Sequence, residues 1–227
     1  MERLEATVKG HQLEKVKLLN LFLLRTFDPP ISELENLPVT GFHRIGKRIV
    51  FEFPDELFLV LHLMVAGRLR WKAPDFKASP KAASAVFYFS HGSLVLTEAG
   101  TKKRASLHLV KGKEKLDNFD PGGLEIFEAT LEDFKERLLV ENHTLKRSLT
   151  DPRLFSGIGN SYSDEILHDA GLSPILLTKK MTDEQMEKMF ESTKKVLTEW
   201  AEKHRNMVGD GFPDKVTAFH EEMAVHG

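Results

Sequence analysis

The stretch SLTDPRLFSGIGNSYSDEILHDAGLSP, Ser148–Pro174, decides how the second half of this chain is read. Gly157 and Gly159 bracket a single isoleucine, Asn160 follows at once, and a helical pattern then runs from about Ser161 to Ala170. Gly171 sits where a helix stops and Pro174 lies just beyond it. A chain that breaks a helix and restarts it within a few residues is turning a corner. It is also presenting new-turn N–H groups and the positive end of a helix dipole, an arrangement that suits an anion. The glycines supply the positive φ and close backbone approach that such a corner asks for, and Asn160 adds a side chain able to donate or accept beside the helix start. Gly-x-Gly-Asn alone describes an ordinary helix–helix corner equally well.

Working outward, the residues on either side of this stretch share its helical period. Thr130 is placed to cap a helix whose apolar positions Leu131, Phe134, Leu138 and Leu145 fall near one face, and Pro152 is read as the start of a short helix that Gly157 stops. Thr182 and Gln185 form a capping box ahead of Met186, Met189, Phe190, Leu197, Trp200 and Ala201, a stripe that reads as core packing. The first half has a different period. Val39–Phe53 alternates in its second part, Ile49, Phe51 and Phe53 against Arg48, Val50 and Glu52, and the apolar run 57–67 follows. Further strands are expected at 13–19, 85–89, 94–98 and 106–110, with Ser90–Ser93 as a hairpin turn. The fold class is therefore α+β: an N-terminal antiparallel β-sandwich lobe over 1–116, then an all-helical lobe over 125–227, joined by a linker within Asp117–Glu125.

Composition narrows the function classes. With 227 residues the chain is long enough for two lobes, and its 41% hydrophobic and 29% charged residues are those of a globular protein. No apolar run approaches the ~18 residues that span a membrane, and no secretory signal pattern opens the chain. The absence of cysteine excludes disulfides and thiolate-ligated zinc, and the ten histidines show no metal-binding spacing, so no cofactor and no metal is expected. Net charge is −2, yet residues 41–104 carry eleven Lys/Arg against five Asp/Glu, which leaves that segment at +6 and the rest at −8. A basic face of this kind suits a polyanion, and it also describes an ordinary solvated surface. Lys47 follows Gly46 in a tight turn, Lys146 lies four residues after Asn142, and His62 stands in an apolar strand where a core role is the simpler reading. Phe155 and Tyr162 flank the asparagine and are expected to pack.

Four blocks in order, GFHRIGKRIVFEF (41–53), LFLVLHLMVAGRLR (57–70), LVLTEAGTKKR (94–104) and the stretch 144–174, resemble the formamidopyrimidine-DNA glycosylase family, which includes endonuclease VIII. The resemblance covers nearly the whole chain, and the last block resembles that family's helix–two-turn–helix DNA-binding motif. It implies base-excision repair: a DNA glycosylase and AP lyase that binds duplex DNA carrying an oxidised base or an abasic site, kinking it and unstacking one base at a cost of a few kcal/mol. It implies a protein that works as a monomer, in the cytoplasm, on the DNA of a bacterial-type nucleoid. By the same resemblance Lys47 contacts DNA at the lesion, while Lys146 and Asn160 hold backbone phosphates, with Gly157, Gly159, Tyr162 and Arg44 beside them. Val65 and the run Lys102, Lys103, Arg104 fall where the family inserts side chains into the gap left by the extruded base.

The pattern is broken in three places. The family's nucleophile is the amine of an N-terminal proline, followed by a glutamate acting as acid and base, whereas this sequence opens MERLEATVKG. The family's four-cysteine zinc finger has no counterpart in a sequence without cysteine, and its wedge residues read Val65 and Lys102–Arg104. Two expectations stand side by side: a glycosylase whose nucleophile-bearing terminus is missing from this chain, which is then inactive as a Schiff-base lyase, or a catalytically silent binder of distorted or abasic DNA. A sandwich-plus-helices domain with no nucleic-acid role is the remaining alternative.

Overall fold

The structure is a computed structural model that describes residues 1–99, 102–213 and 220–225. Gly100 and Thr101 of the block 94–104 lie outside the described residues. The chain divides into two compact units, Met1–Phe119 and Asp120–Gly209, with Phe212 returning to the first and Met223 to the second.

The first unit opens with helix α1 (Glu2–Val8), whose Leu4 and Val8 are buried. Among the described residues ten strands follow: β1 (Gln12–Leu13), β2 (Lys15–Leu18), β3 (Leu37–Pro38), β4 (Gly41–Ile45), β5 (Arg48–Phe53), β6 (Leu57–His62), β7 (Gly67–Lys72), β8 (Ala85–Phe89), β9 (Gly92–Glu98) and β10 (Ser106–Lys111). Two four-stranded antiparallel sheets are built from them, ordered β10-β6-β5-β4 and β2-β8-β9-β7, beside the small β1-β3 pair. A strand side chain reaches alternate faces, so Phe51, Phe53, Leu57, Leu59, Leu61, Leu107 and Leu109 of one sheet share a core with Leu69, Phe87, Phe89, Leu94 and Leu96 of the other. The unbroken apolar run of β6 has a second cause. Phe58 and Val60 point the other way and are covered with Val50 and Val110 by Leu116 of helix α2 (Lys113–Asp117). A strand buried on both faces has no reason to alternate.

The apolar run 57–67 is thus not one strand. It ends at His62, turns over residues 63–66, and continues as β7, an element absent from the expected set. β7 is an edge strand in which Arg68, Arg70 and Lys72 alternate with Gly67, Leu69 and half-buried Trp71 on the core face.

The second unit holds α3 (Leu131–Leu139), α4 (Leu145–Thr150), α5 (Asn160–Ala170) and α6 (Asp183–Val208). Thr130 and Asp133 close a reciprocal capping box on α3, as Thr182 and Gln185 do on α6. Gly171 ends α5 at φ 64°. Phe134, Leu138, Leu145, Phe155, Ile166, Met189 and Trp200 share one core. Three details depart from the periodic reading. Leu145 belongs to α4, because α3 stops at Leu139. Ala201 is exposed, on the solvent side of α6. Pro152 starts no helix: the Asp151 carboxylate accepts from Arg153 N–H at 2.9 Å, and Leu154 C=O accepts from Leu124 N–H at 2.9 Å, so the backbone of 151–154 closes a turn that serves the neighbouring chain segment instead. Among the described residues no helix is long and apolar enough to cross a membrane.

Candidate nucleic-acid interface

In the second unit the candidate interface is the corner from α4 to α5. Two turns, 151–154 and 156–159, separate the helices. Gly157 takes φ 78°, a left-handed conformation in which a Cβ is strained, while Gly159 is extended at φ −114° and ψ 178°. Only the first of the two glycines is therefore required for its backbone freedom. Gly159 is the N-cap of α5 and has no side chain to cap it, so the first-turn N–H groups of the helix are not closed off by one. Asn160 is exposed at the first helical position. Ser163 fastens the turn from within, its hydroxyl donating to Asn160 C=O at 2.7 Å and its N–H to Gly159 C=O at 2.9 Å. Fully buried Ile158 and Phe155 anchor the two turns in the core.

Lys146 stands beside this helix start. Its ammonium lies 2.8 Å from a carboxylate oxygen of Asp164, the residue four positions after Asn160 and on the same face of α5. The sequence signals included Lys146 and Asn160 but not Asp164, and the structure brings all three together. Tyr162 faces the other way. Its hydroxyl meets His204 Nε2 of α6 at 2.8 Å, and burial, with the nearby Glu165 carboxylate, pushes its pKa up to about 12. Glu165 is a further residue that sequence reasoning passed over. Its carboxylate, 5% exposed, accepts from the N–H groups of Ala224 at 2.8 Å and Val225 at 2.7 Å, binding a segment sixty residues away to α5.

In the first unit the candidate residues sit at the ends of strands. Gly46 and Lys47 form the two-residue turn between β4 and β5, with Gly46 at φ 56° where a hairpin needs a positive value. Arg44 braces that turn by donating to Gly46 C=O at 2.7 Å. Lys47 is exposed at the tip of the turn, yet the protein around its ammonium lowers its pKa from 10.5, because the charged form has lost part of its hydration. An anion brought to it offsets that loss. Arg48 follows, donating to Phe119 C=O at 3.2 Å with its guanidinium 5.9 Å from that ring. His62 pairs with Arg48 across β5 and β6, and His108 packs edge-on to Phe119 at 5.0 Å.

Both histidines have pKa values lowered from 6.5, first by burial and then by cations, Arg48 and Lys47 for His62 and Arg48 and Arg25 for His108. A depressed histidine pKa means that the unfolded chain binds the proton first as pH falls. Unfolding then takes up protons, and stability is lost on acidification below 6.5, with no contribution from these groups above it. We expect the urea midpoint to fall between about pH 7.5 and about pH 5.5, and to fall less in a His62→Gln/His108→Gln variant. An identical drop in the two proteins would show that these histidines do not contribute.

The remaining candidates occupy two loops. Val65 is 66% exposed at the tip between β6 and β7, beside Met64 at φ 54°, and Arg68 donates to Val65 C=O at 3.1 Å. Gly67 is required at the base of this loop, since a Cβ there would lie 2.3 Å from Leu63 C=O. The run Lys102–Arg104 does not act as one group. Lys102 and Arg104 are exposed, whereas the Lys103 ammonium is folded back onto Pro80 C=O at 3.0 Å. Glu98, which sequence reading counted merely as an acid, sets the root of that run. Its carboxylate accepts from the N–H groups of Arg104 at 2.7 Å and Ala105 at 2.8 Å and from the Ser84 hydroxyl at 3.0 Å. Among the described residues no group of three or more His, Asp or Glu side chains is arranged to hold a metal ion.

Comparison with known proteins agrees with this geometry. The sequence model of the formamidopyrimidine-DNA glycosylase N-terminal domain matches residues 1–105, and that of the formamidopyrimidine-DNA glycosylase H2TH domain matches residues 124–209. The formamidopyrimidine-DNA glycosylase of Mycoplasma genitalium is 27% identical over 201 residues, which are 87% of this chain and 70% of the relative. That of Solibacter usitatus is 28% identical over 207 residues, 90% of this chain and 75% of the relative. Among solved structures, the Lactococcus lactis protein in complex with DNA containing an abasic site superposes with a TM-score of 0.81 at 23% identity, over 88% of this chain and 75% of that one. MutM in complex with DNA containing carbocyclic 8-oxo-G gives a TM-score of 0.81 at 23% identity, over 88% and 76% of the two chains. Two adjacent domain matches in the family's order, on an antiparallel sandwich and a helix–two-turn–helix corner, lead to one conclusion: the chain belongs to the formamidopyrimidine-DNA glycosylase family.

Proposed function

We propose that this protein grips duplex DNA carrying an oxidised base or an abasic site, in the manner of a base-excision glycosylase and AP lyase of the formamidopyrimidine type. The observation that carries the reading is the α4–α5 corner, where the Lys146 ammonium of α4 meets Asp164, one turn on from Asn160 at the start of α5, inside the segment matching the H2TH domain. Relatives of the same fold are held on abasic-site and 8-oxo-G analogue DNA. In this reading Asn160 and Lys146 meet backbone phosphates, which fix the register of the protein on the duplex without reading sequence. Lys47, Arg44 and the exposed ends of the 102–104 run meet the strand from the first unit, and Val65 meets the space beside the unstacked base. The protein acts as a monomer on bacterial-type DNA in the cytoplasm and takes no metal through these residues.

The chemistry implied by the resemblance runs through a proline amine, which attacks the sugar C1′ only when deprotonated and held against it. The first prolines in these 227 residues are Pro29 and Pro30, inside the chain. We therefore infer that a polypeptide of these residues binds the lesion without forming the Schiff base. Incubated with abasic-site duplex, it is expected to shift the DNA in a binding assay and to leave no covalent adduct after borohydride reduction. An adduct would overturn the inferred inactivity and point to an internal amine, with Lys47 and Lys146 the first to be replaced. Absence of any binding would overturn the DNA reading itself.

A further inference from the structure

We propose that Asp164 is a charge brake on the DNA grip of α5: its carboxylate neutralises the Lys146 ammonium, so that this end of the corner holds phosphate by placement rather than by net positive charge. The inference rests on the DNA-binding reading above and deepens it.

The geometry is specific. Both carboxylate oxygens of Asp164 lie 2.8 Å from Lys146 Nζ, a contact symmetric across the carboxylate. The Asp164 side chain is only 13% exposed while that of Lys146 is 37% exposed, so the acid is the held partner and the lysine the one at the rim. Asp164 is four residues after Asn160, which puts the ion pair on the same face as the asparagine and close to the helix start. The neighbouring acid, Glu165, is turned away toward the N–H groups of Ala224 and Val225 and does not share the duty. An ammonium has three N–H donors. With its carboxylate partner engaged, Lys146 keeps donors for a phosphate oxygen, and the pair as a whole adds no net charge to the surface.

The physical consequence lies in the salt dependence. Each phosphate neutralised by a protein cation adds about 0.9 to the steepness of log K against log salt on duplex DNA. A cation whose charge is cancelled by a carboxylate 2.8 Å away adds little to it. Such electrostatic attraction also supplies most binding to undamaged DNA. A brake at this position thus limits unspecific holding while leaving the phosphate contact in place.

The test is the salt dependence of binding to an abasic-site duplex and to the same duplex undamaged, for four proteins of the full chain: the parent, Asp164→Asn, Lys146→Met and the double variant. Asp164→Asn is expected to bind both duplexes more tightly at low salt and to steepen the slope by about 0.9, so that its advantage shrinks about threefold between roughly 50 and 200 mM salt. Lys146→Met is expected to bind more weakly, and the double variant to return to the slope of the parent. Asp164→Asn binding as weakly as Lys146→Met would overturn the proposal, because Asp164 would then merely orient the lysine. An unchanged slope would overturn it as well. Asp164→Ser, which removes the charge with a smaller side chain, is the check on folding. If both neutral variants lose cooperative unfolding, the acid is structural and the brake is wrong. A parent protein that binds neither duplex fails the DNA reading instead, and that outcome is visible before any variant is made.

Discussion

Raising the salt concentration from about 50 to about 200 mM is expected to weaken binding of this protein to an abasic-site duplex about 500-fold. Five cations carry the expectation: Arg44 and Lys47 at the β4–β5 turn, and Lys102, Lys103 and Arg104 ahead of β10. Lys103 donates to a neutral carbonyl, which leaves its charge for long-range attraction. Lys146 is left out because Asp164 cancels it. Five neutralised phosphates correspond to a slope of about −4.5, and a fourfold rise in salt then costs two to three decades in affinity. The net charge of −2 makes the outcome informative, since a protein without an organised basic face and with this overall charge binds DNA poorly at any salt. Binding that stays flat over this range would sink the phosphate-grip reading. A slope near −2 would confine the grip to the two cations of the β4–β5 turn.

Phe155→Ala is expected to cost about 3–5 kcal/mol of unfolding free energy in the second unit and to lower its melting temperature by about 12 °C or more. Phe155 has no exposed surface, its ring lies 4.9 Å from that of Phe134, and it stands between the two turns of the corner. Its backbone is tied at both ends, its N–H donating to Asp151 C=O at 3.0 Å and that of the next residue to Leu124 C=O at 2.9 Å. The cavity left by the ring cannot close without moving the turn that sets Gly157 and the start of α5. A variant that melts within about 2 °C of the parent would mean that the corner is held by its backbone bonds alone. Calorimetry on the two proteins decides the point, and the DNA affinity of the variant at a temperature where it remains folded reports how far the corner has shifted.

The architecture was largely legible from residue spacing, because the signals involved are local. Thr130 and Thr182 announce α3 and α6 through side chains that cap their own helix three residues on. Gly171 and the glycine at 46 mark backbone that other residues enter only under strain. The alternation around Phe51 and Phe53 marks the face of β5 that enters the larger core. Where local signals failed, the cause was tertiary. β7 is an edge strand whose core face carries Gly67, Leu69 and half-buried Trp71, and Pro152 opens no helix because the turn closed by Leu154 N–H on Asp151 C=O gives its last carbonyl to Leu124 N–H instead of continuing as a helix.

The candidate site divides along the same line. The amino-acid sequence by itself determined which residue types are present and where each one starts or stops an element: Lys47 in a glycine turn, Asn160 at a helix start, Lys146 in the helix before it, and no cysteine for a metal. Tertiary structure decided what those charges meet. Lys146 finds Asp164 eighteen residues on, Glu165 binds Ala224 and Val225 about sixty residues away, and Glu98 ties down the backbone from which Lys102–Arg104 projects. Such partners follow from where the packed cores carry each element, and the strength of a charge depends on its distance to an opposite charge and on the water left around both. Neither quantity is written in the spacing of residues along the chain.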